Sequence, residues 1–156
     1  MVEPVPAHLH TVVTRLVFDD AGAAIDFYAA AFGAELVEEP HREPSGRIVH
    51  AEVRIGDSVV FVTDEGDPVN GVAPGSVGGR VTAVMALNVA DVDAHWERAV
   101  VAGCDVIHPL ADQFYGARGG RLRDPFGHQW MLSTRIEDVS REELDRRMRE
   151  WAEQDA

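Results

Sequence analysis

The sequence predicts an α+β fold built from two tandem βαβββ modules and a C-terminal helix. Three observations carry this. An aspartate precedes a helical stretch twice, at Asp20 and Asp91, 71 positions apart. A glycine opens an apolar run twice, at Gly56 and Gly127, again 71 apart. Between the copies lies Asp64–Arg80, with five glycines and two prolines. Recurrence at one offset marks a repeated supersecondary unit, and a glycine- and proline-rich stretch suits a linker.

Each module reads in the same order. A strand rich in Val and Leu comes first, Thr11–Phe18 in module one and Val81–Val89 in module two. A helix follows, Ala21–Phe32 and Val92–Ala102. Asp20 and Asp91 are placed to accept hydrogen bonds from first-turn amides, and Gly33 and Gly103 stand where a left-handed residue ends a helix. Ile25, Tyr28, Ala29 and Phe32 recur at helical spacing, as do Val92, Trp96, Ala99 and Val100. Three strands complete each module. In module one they are Glu35–Glu38, Arg47–Ile55 and Ser58–Thr63, with Gly56-Asp57 as a hairpin turn. In module two they are Asp105–His108, Gly120–Arg123 and His128–Thr134, with the turn Asp124–Gly127. In the tail, Ser140 and Glu143 have capping-box spacing, and Leu144, Met148 and Trp151 fall on one stripe. The expected organisation is one domain over 1–137 (module one about 8–63, linker 64–80, module two about 81–137) and a helical tail over 138–156.

Composition narrows the function. The chain has 156 residues and a mass of 17.1 kDa, with 14 Lys+Arg against 27 Asp+Glu, a net charge of -13. Such a surface repels phosphate backbones and anionic lipids, so nucleic acid and membranes are not expected partners. Residues 1–10 have no basic start or apolar run, so a signal peptide is not expected and the location is expected to be cytoplasmic. The single cysteine, Cys104, lies in apolar company and reads as a small buried residue. His8 and His10 fall in a stretch expected to be frayed.

Four segments then resemble a known superfamily. Asp20–Gly33 (DAGAAIDFYAAAFG) looks like the first helix of the vicinal oxygen chelate proteins, and Asp124–Gly127 (DPFG) like their DPxG turn. His50–Ser58 (HAEVRIGDS) and Gly120–Ser140 (GRLRDPFGHQWMLSTRIEDVS) resemble the PhnB-like subgroup. The superfamily includes glyoxalase I, extradiol dioxygenases, fosfomycin-resistance enzymes and bleomycin-resistance binding proteins. The resemblance implies that each module curls into half of a barrel-like cleft, with the site on the face away from the helices. It also implies where metal-using relatives take their ligands, from the first and fourth strands of each module. Those positions here are Val13, Val84, Val60 and Met131. None is a good ligand for a hard or borderline ion, so no metal and no other cofactor is expected.

Strand alternation supplies the rest of the candidate lining. Ile48, His50, Glu52 and Arg54 are expected to face the cleft, with Val49, Ala51, Val53 and Ile55 toward the helix. The 71-residue offset maps His50 onto Arg121 and Glu52 onto Arg123. Arg15 shares a face with Val13, and Gln129 with Met131, leaving Trp130 in the core. The expected ligand-binding set is Val13, Arg15, His50, Glu52, Val60, Val84, Phe114, Tyr115, Arg121, Arg123, Gln129 and Met131. Phe114 and Tyr115 enter as a flap, because Gly116, Gly119 and Gly120 flank them within Pro109–Gly120. Apolar walls with a few orienting groups suit a small-molecule pocket. The function expected is metal-free binding of a small, partly apolar molecule, as in the bleomycin-resistance branch. The alternative is a glyoxalase-like isomerase, lyase or dioxygenase, with His50 or Glu52 as the candidate general base. The tail helix and the resemblance point to a homodimer.

Overall fold

The computed structural model describes residues 2–67, 69 and 71–154. Of the segments assigned above, Met1, Pro68, Asn70, Asp155 and Ala156 lie outside the described residues. Module one comprises β1 (Arg15–Phe18), α1 (Ala21–Phe32), β2 (Glu35–Leu36), β3 (His41–Arg42), β4 (Ile48–Ile55) and β5 (Ser58–Asp64). Module two comprises β6 (Val84–Asn88), α2 (Val92–Ala102), β7 (Asp105–Gln113), β8 (Ala117–Arg123) and β9 (Gln129–Arg135). Helix α3 (Arg141–Gln154) follows. In each module the first strand pairs parallel with the last, and the helix makes the crossover. The sheet orders are β1-β5-β4-β2, with β3 beside β4, and β6-β9-β8-β7. The expected repeat is therefore present. Among the described residues the two sheets remain separate and close no barrel.

Both helices start and stop on the residues read from the sequence. The Asp20 carboxylate accepts from the Ala23 amide at 2.9 Å, and Asp91 from Ala94 at 3.1 Å. Gly33 and Gly103 end them at φ 69° and 124°, a region that penalises any Cβ.

The modules are joined on their helix side. Tyr28 and Phe32 of α1 bring their rings to 5.3 and 4.6 Å from Trp130 of β9. Beneath them Asp124, only 2% exposed, is a four-way acceptor. It receives the Tyr28 hydroxyl at 2.6 Å, the Trp130 indole N–H at 3.0 Å, and the Phe126 and His128 amides at 3.0 and 2.9 Å. A buried carboxylate needs such saturation to remain in the core. Burial first, and then the Asp124 charge, raise the Tyr28 pKa well above its ordinary value.

Several boundaries differ from expectation. The first strands are shorter, beginning at Arg15 and Val84, and β3 is an additional two-residue strand. The Pro109–Gly120 flap is largely a β-hairpin, because β7 runs on to Gln113 and β8 starts at Ala117. Pro109 is tolerated at a register shift between His108 and Ala111. The hairpin glycines serve close packing: a Cβ on Gly120 would lie 2.6 Å from the Trp96 ring and 2.8 Å from the His108 carbonyl. The linker is docked. Ala73 and Pro74 are buried, Pro74 sits over Gly127, and the Asp64 carboxylate accepts from the Ala21 and Ile48 amides.

Helix α3 lies over the hairpin tip. The Glu143 amide donates to the Ser140 hydroxyl at 3.2 Å, as the capping box requires. Trp151 stacks on Phe114 at 5.6 Å, and Arg147 donates to the Phe114 carbonyl at 3.2 Å.

Candidate functional site

Pairing registers sort the side chains onto the two faces of each sheet. In β4 and β5, Ala51, Val53, Val60 and Val62 share the face that packs on α1. Glu52, Arg54, Val59 and Phe61 share the open face. Val60 therefore belongs to the helix side, and Phe61 takes the position expected of it. The reason is segment length. The modules run at an offset of 71 at the first strands (Arg15 and Ala86) but 69 at the third (Glu52 and Arg121), because module two is two residues shorter between them. The last turn of module two is one residue longer, five residues between Arg123 and Gln129 against four between Arg54 and Val59, which brings the last-strand offset to 70. Phe61 opposite Arg15 thus matches Met131 opposite Ala86. The third-strand mapping changes with it. Arg121 pairs with Met131 and Glu52 with Phe61, so Arg121 corresponds to Glu52, and Arg123 to Arg54.

Alternation also breaks at the start of β4. Ile48 is 1% exposed in the core, while Val49 turns toward Arg15. The Thr63 hydroxyl bonds the Ile48 and Val49 carbonyls, replacing ladder bonds there.

The open face of module one carries a polar cluster. Glu52 is buried to 9% exposure. The His8 imidazole lies 2.8 Å from one of its carboxylate oxygens and the His50 imidazole 3.4 Å from the other. His50 also meets Phe61 edge to face at 4.7 Å and stacks near His41 at 6.0 Å. The N-terminal stretch is thus ordered at His8 by a contact 44 residues away in sequence. Only spatial proximity, and no local pattern, reveals it. Arg15 donates to the Val49 carbonyl at 3.2 Å and lies 3.4 Å from the Thr63 hydroxyl.

The expected lining does not gather in one cleft. A cavity of about 700 Å³ lies between the modules, with Val60, Val84, Phe32, Leu87 and Trp130 as apolar wall and Asn88 and His95 among its polar groups. Arg15 borders a second hollow of about 160 Å³ with Arg47 and Asp64. Tyr115, Arg121 and Met131 border a third, of about 170 Å³, on the open face of module two. Phe114 is held against Trp151, Arg123 is exposed at the end of β8, Gln129 is half-buried at the start of β9, and Val13 is half-buried just before β1. The hydrogen bonds and ring contacts between the modules run through α1, the end of β1 and the β8–β9 turn.

The first- and fourth-strand positions do not fit a divalent cation. Val13 and Val84 have no donor atom, nor does Phe61, and Met131 offers only a thioether. Among the described residues no group of three or more His, Cys, Asp or Glu is arranged to hold a metal ion. Cys104 is buried, and burial pushes its thiol pKa up to about 12, far from a reactive thiolate.

The family described as the Glyoxalase/Bleomycin resistance protein/Dioxygenase superfamily matches residues 8–132. The chain belongs to this superfamily. Proteins of Mycobacterium bovis and of Mycobacterium tuberculosis H37Rv, both described as uncharacterized, are 41% identical to it over 138 residues. That stretch is 86% of this chain and 89% and 79% of theirs. Among solved structures, TioX of Micromonospora sp. ML1 is 29% identical, with a TM-score of 0.61 over 81% of this chain and 99% of that one. Protein PA1353 of Pseudomonas aeruginosa reaches a TM-score of 0.63 at 24% identity, covering 82% and 99%. A PhnB protein of Bacillus cereus reaches 0.60 at 18% identity, covering 80% and 99%. The two last likenesses show the fold. Among the described residues no helix is long and apolar enough to cross a membrane.

Proposed function

We propose that this superfamily member binds a small, partly apolar organic molecule without a metal ion, as a binding or sequestering protein of the bleomycin-resistance kind. One observation carries the reading: the cavity of about 700 Å³ between the modules. Its size falls within the roughly 300–1,000 Å³ of ligand pockets, and its lining combines aromatic and aliphatic walls with a few polar groups. The absence of donor side chains at the usual ligand positions supports metal-independent binding. The PhnB-like segments His50–Ser58 and Gly120–Ser140 support a kinship with that subgroup. Pairing of two copies is part of the reading, through the exposed Met148 and Trp151 of α3.

The test is a thermal-shift screen of metal-analysed protein against a small-molecule library. A saturable ligand is expected to stabilise metal-free protein. Thr14→Trp adds bulk at an exposed position lining the cavity and is expected to abolish that stabilisation while the far-UV spectrum is unchanged. A divalent ion retained in stoichiometric amount and needed for binding overturns the reading. So does ligand binding indifferent to Thr14→Trp. Sedimentation of Met148→Glu/Trp151→Glu checks the dimer, which is expected to dissociate.

A second reading, a glyoxalase-like enzyme, draws on the Glu52 carboxylate held between His8 and His50. A carboxylate held on an open sheet face has the placement of a general base. This reading requires turnover of a library compound that is lost in Glu52→Gln.

A further inference from the structure

We infer that the ligand of the inter-module cavity is a short extended peptide, or a small molecule built on a peptide backbone, that adds a strand to the edge of β6. This deepens the cavity reading above and rests on it. The starting observation is that the cavity touches all five residues of β6, Val84–Asn88. Successive side chains of a strand point to opposite faces, so a hollow that touches every residue lies along the strand's edge. β6 ends its sheet, in the order β6-β9-β8-β7. Val89, one residue beyond it, donates its amide to the Ser133 carbonyl of β9 at 2.9 Å. Alternate residues of a parallel strand turn their main-chain groups to the same neighbour, so Leu87 and Met85 also bond β9. The N–H and C=O of Ala86 and Asn88 therefore point away from β9, and no loop or turn takes them among the described residues.

Edge strands are ordinarily blunted, because unpaired main-chain groups recruit any strand that fits. The other edges here follow that rule. In module one, β2 and β3 are two residues each, and the outward Val17 carbonyl of β1 accepts from the His128 imidazole at 2.9 Å. In module two, β7 carries Asp105, Pro109 and Asp112 and two register shifts. β6 has no proline, no charged residue and no shift against β9. An unguarded edge is what strand addition uses, with main-chain bonds for affinity and side-chain pockets for selectivity. The cavity also defines the peptide. At about 3.3 Å per residue the edge runs roughly 16 Å, room for about five residues. Ligand residues opposite Ala86 and Asn88 can each exchange both N–H and C=O bonds with β6. Across the cavity Phe32, Val59 and Val60 offer apolar surface. Asp57 lines the cavity and no Lys or Arg does, so a peptide without carboxylates fits, and the net charge of -13 draws a cationic one.

The test is an NMR titration of the full-length protein with the capped pentapeptide acetyl-Val-Lys-Val-Lys-Val-amide. Two analogues accompany it, one N-methylated at both lysines and one at the two valines that follow them. Saturable binding of the parent peptide is expected, with the Ala86 and Asn88 amide protons shifted downfield and slowed in hydrogen exchange, and those of Met85 and Leu87 little changed. Methylation of the residues that face β6 is expected to weaken binding by about tenfold or more, and methylation of the alternate set by less than about threefold. Thr14→Trp, which fills the cavity, is expected to abolish peptide binding. Absence of saturable binding overturns the inference, as does an equal response to the two methylations or binding indifferent to Thr14→Trp. The peptide comparison needs no protein variant, so it decides the matter even if Thr14→Trp fails to fold. If a screened compound without a peptide backbone stabilises the protein and is blocked by Thr14→Trp while the pentapeptide does not bind, the cavity reading stands and the strand-addition inference alone falls.

Discussion

Removing one oxygen atom, in Tyr28→Phe, tests how the two modules are held together. The Tyr28 hydroxyl is one of four donors to Asp124, at 2.6 Å, and the residue is 0% exposed. The substitution leaves no buried donor behind, because Phe has none, and it opens little space. Asp124 keeps its indole and two amide donors. The loss is therefore one hydrogen bond to a charged acceptor, about 1.5–3 kcal/mol. At roughly 2–4 °C per kcal/mol for a chain of this size, Tm falls by about 3–12 °C. Urea unfolding followed by tryptophan fluorescence measures the free energy at pH 7. A second measurement at alkaline pH checks the mechanism. Because the folded pKa of Tyr28 is raised, the unfolded chain releases this proton near pH 10 while the native protein retains it. The unfolded state then binds fewer protons, so stability falls with rising pH. The contribution is complete below about pH 10 and declines above it. Tyr28→Phe is expected to flatten that decline. An unchanged midpoint at pH 7, or an unchanged alkaline slope, refutes this account of the module interface.

Cys104 makes a separate alkaline contribution. Its folded pKa is pushed up from 9.0 to about 12, so stability carried by the thiol is complete below pH 9 and lost between pH 9 and about 12. Cys104→Ala is expected to flatten a pH–stability curve over that interval. Gly120→Ala sets a methyl 2.6 Å from Trp96 and 2.8 Å from a backbone carbonyl. It is expected to cost about 1–3 kcal/mol in urea unfolding, whereas Gly75→Ala, with open space around it, is expected to leave stability nearly unchanged. In α3, hydrogen bonds from Arg146 and Arg147 lower Glu143 from 4.5 to about 2. Its support is present above pH 4.5 and lost as pH falls toward 2. Amide exchange in residues 141–153 is expected to quicken over that interval, ahead of the sheets, and uniform exchange across the chain contradicts it.

What could be read from the residues was what neighbours in sequence decide. Asp20 and Asp91 cap helices through amides three residues away, and Gly33 and Gly103 end them through their own φ, so both helices match their expected limits. The Gly56-Asp57 turn and the Ser140 cap are local in the same sense. The repeat was legible because each module must bury one helix on one sheet, which imposes the same order of apolar runs twice. Glycines misled where two contacts compete. Gly119 and Gly120 resemble a hinge in sequence, yet they are small because β9 and Trp96 crowd them.

The tertiary structure decided what depends on register and distance. A one-residue change of offset reverses a strand's faces, so the change from 71 at the first strands to 70 at the last puts Phe61 on the open face and Val60 on the helix side. No residue-by-residue pattern shows that His8 reaches Glu52, that Tyr28 of α1 bonds Asp124 of the other module, or that Arg118 meets both Asp93 and Asp112. The sequence by itself determined the modules, their caps and the apolar character of the would-be metal positions, because these follow from local propensity and side-chain chemistry. Which polar groups meet was decided by packing, because those pairings join residues tens of positions apart.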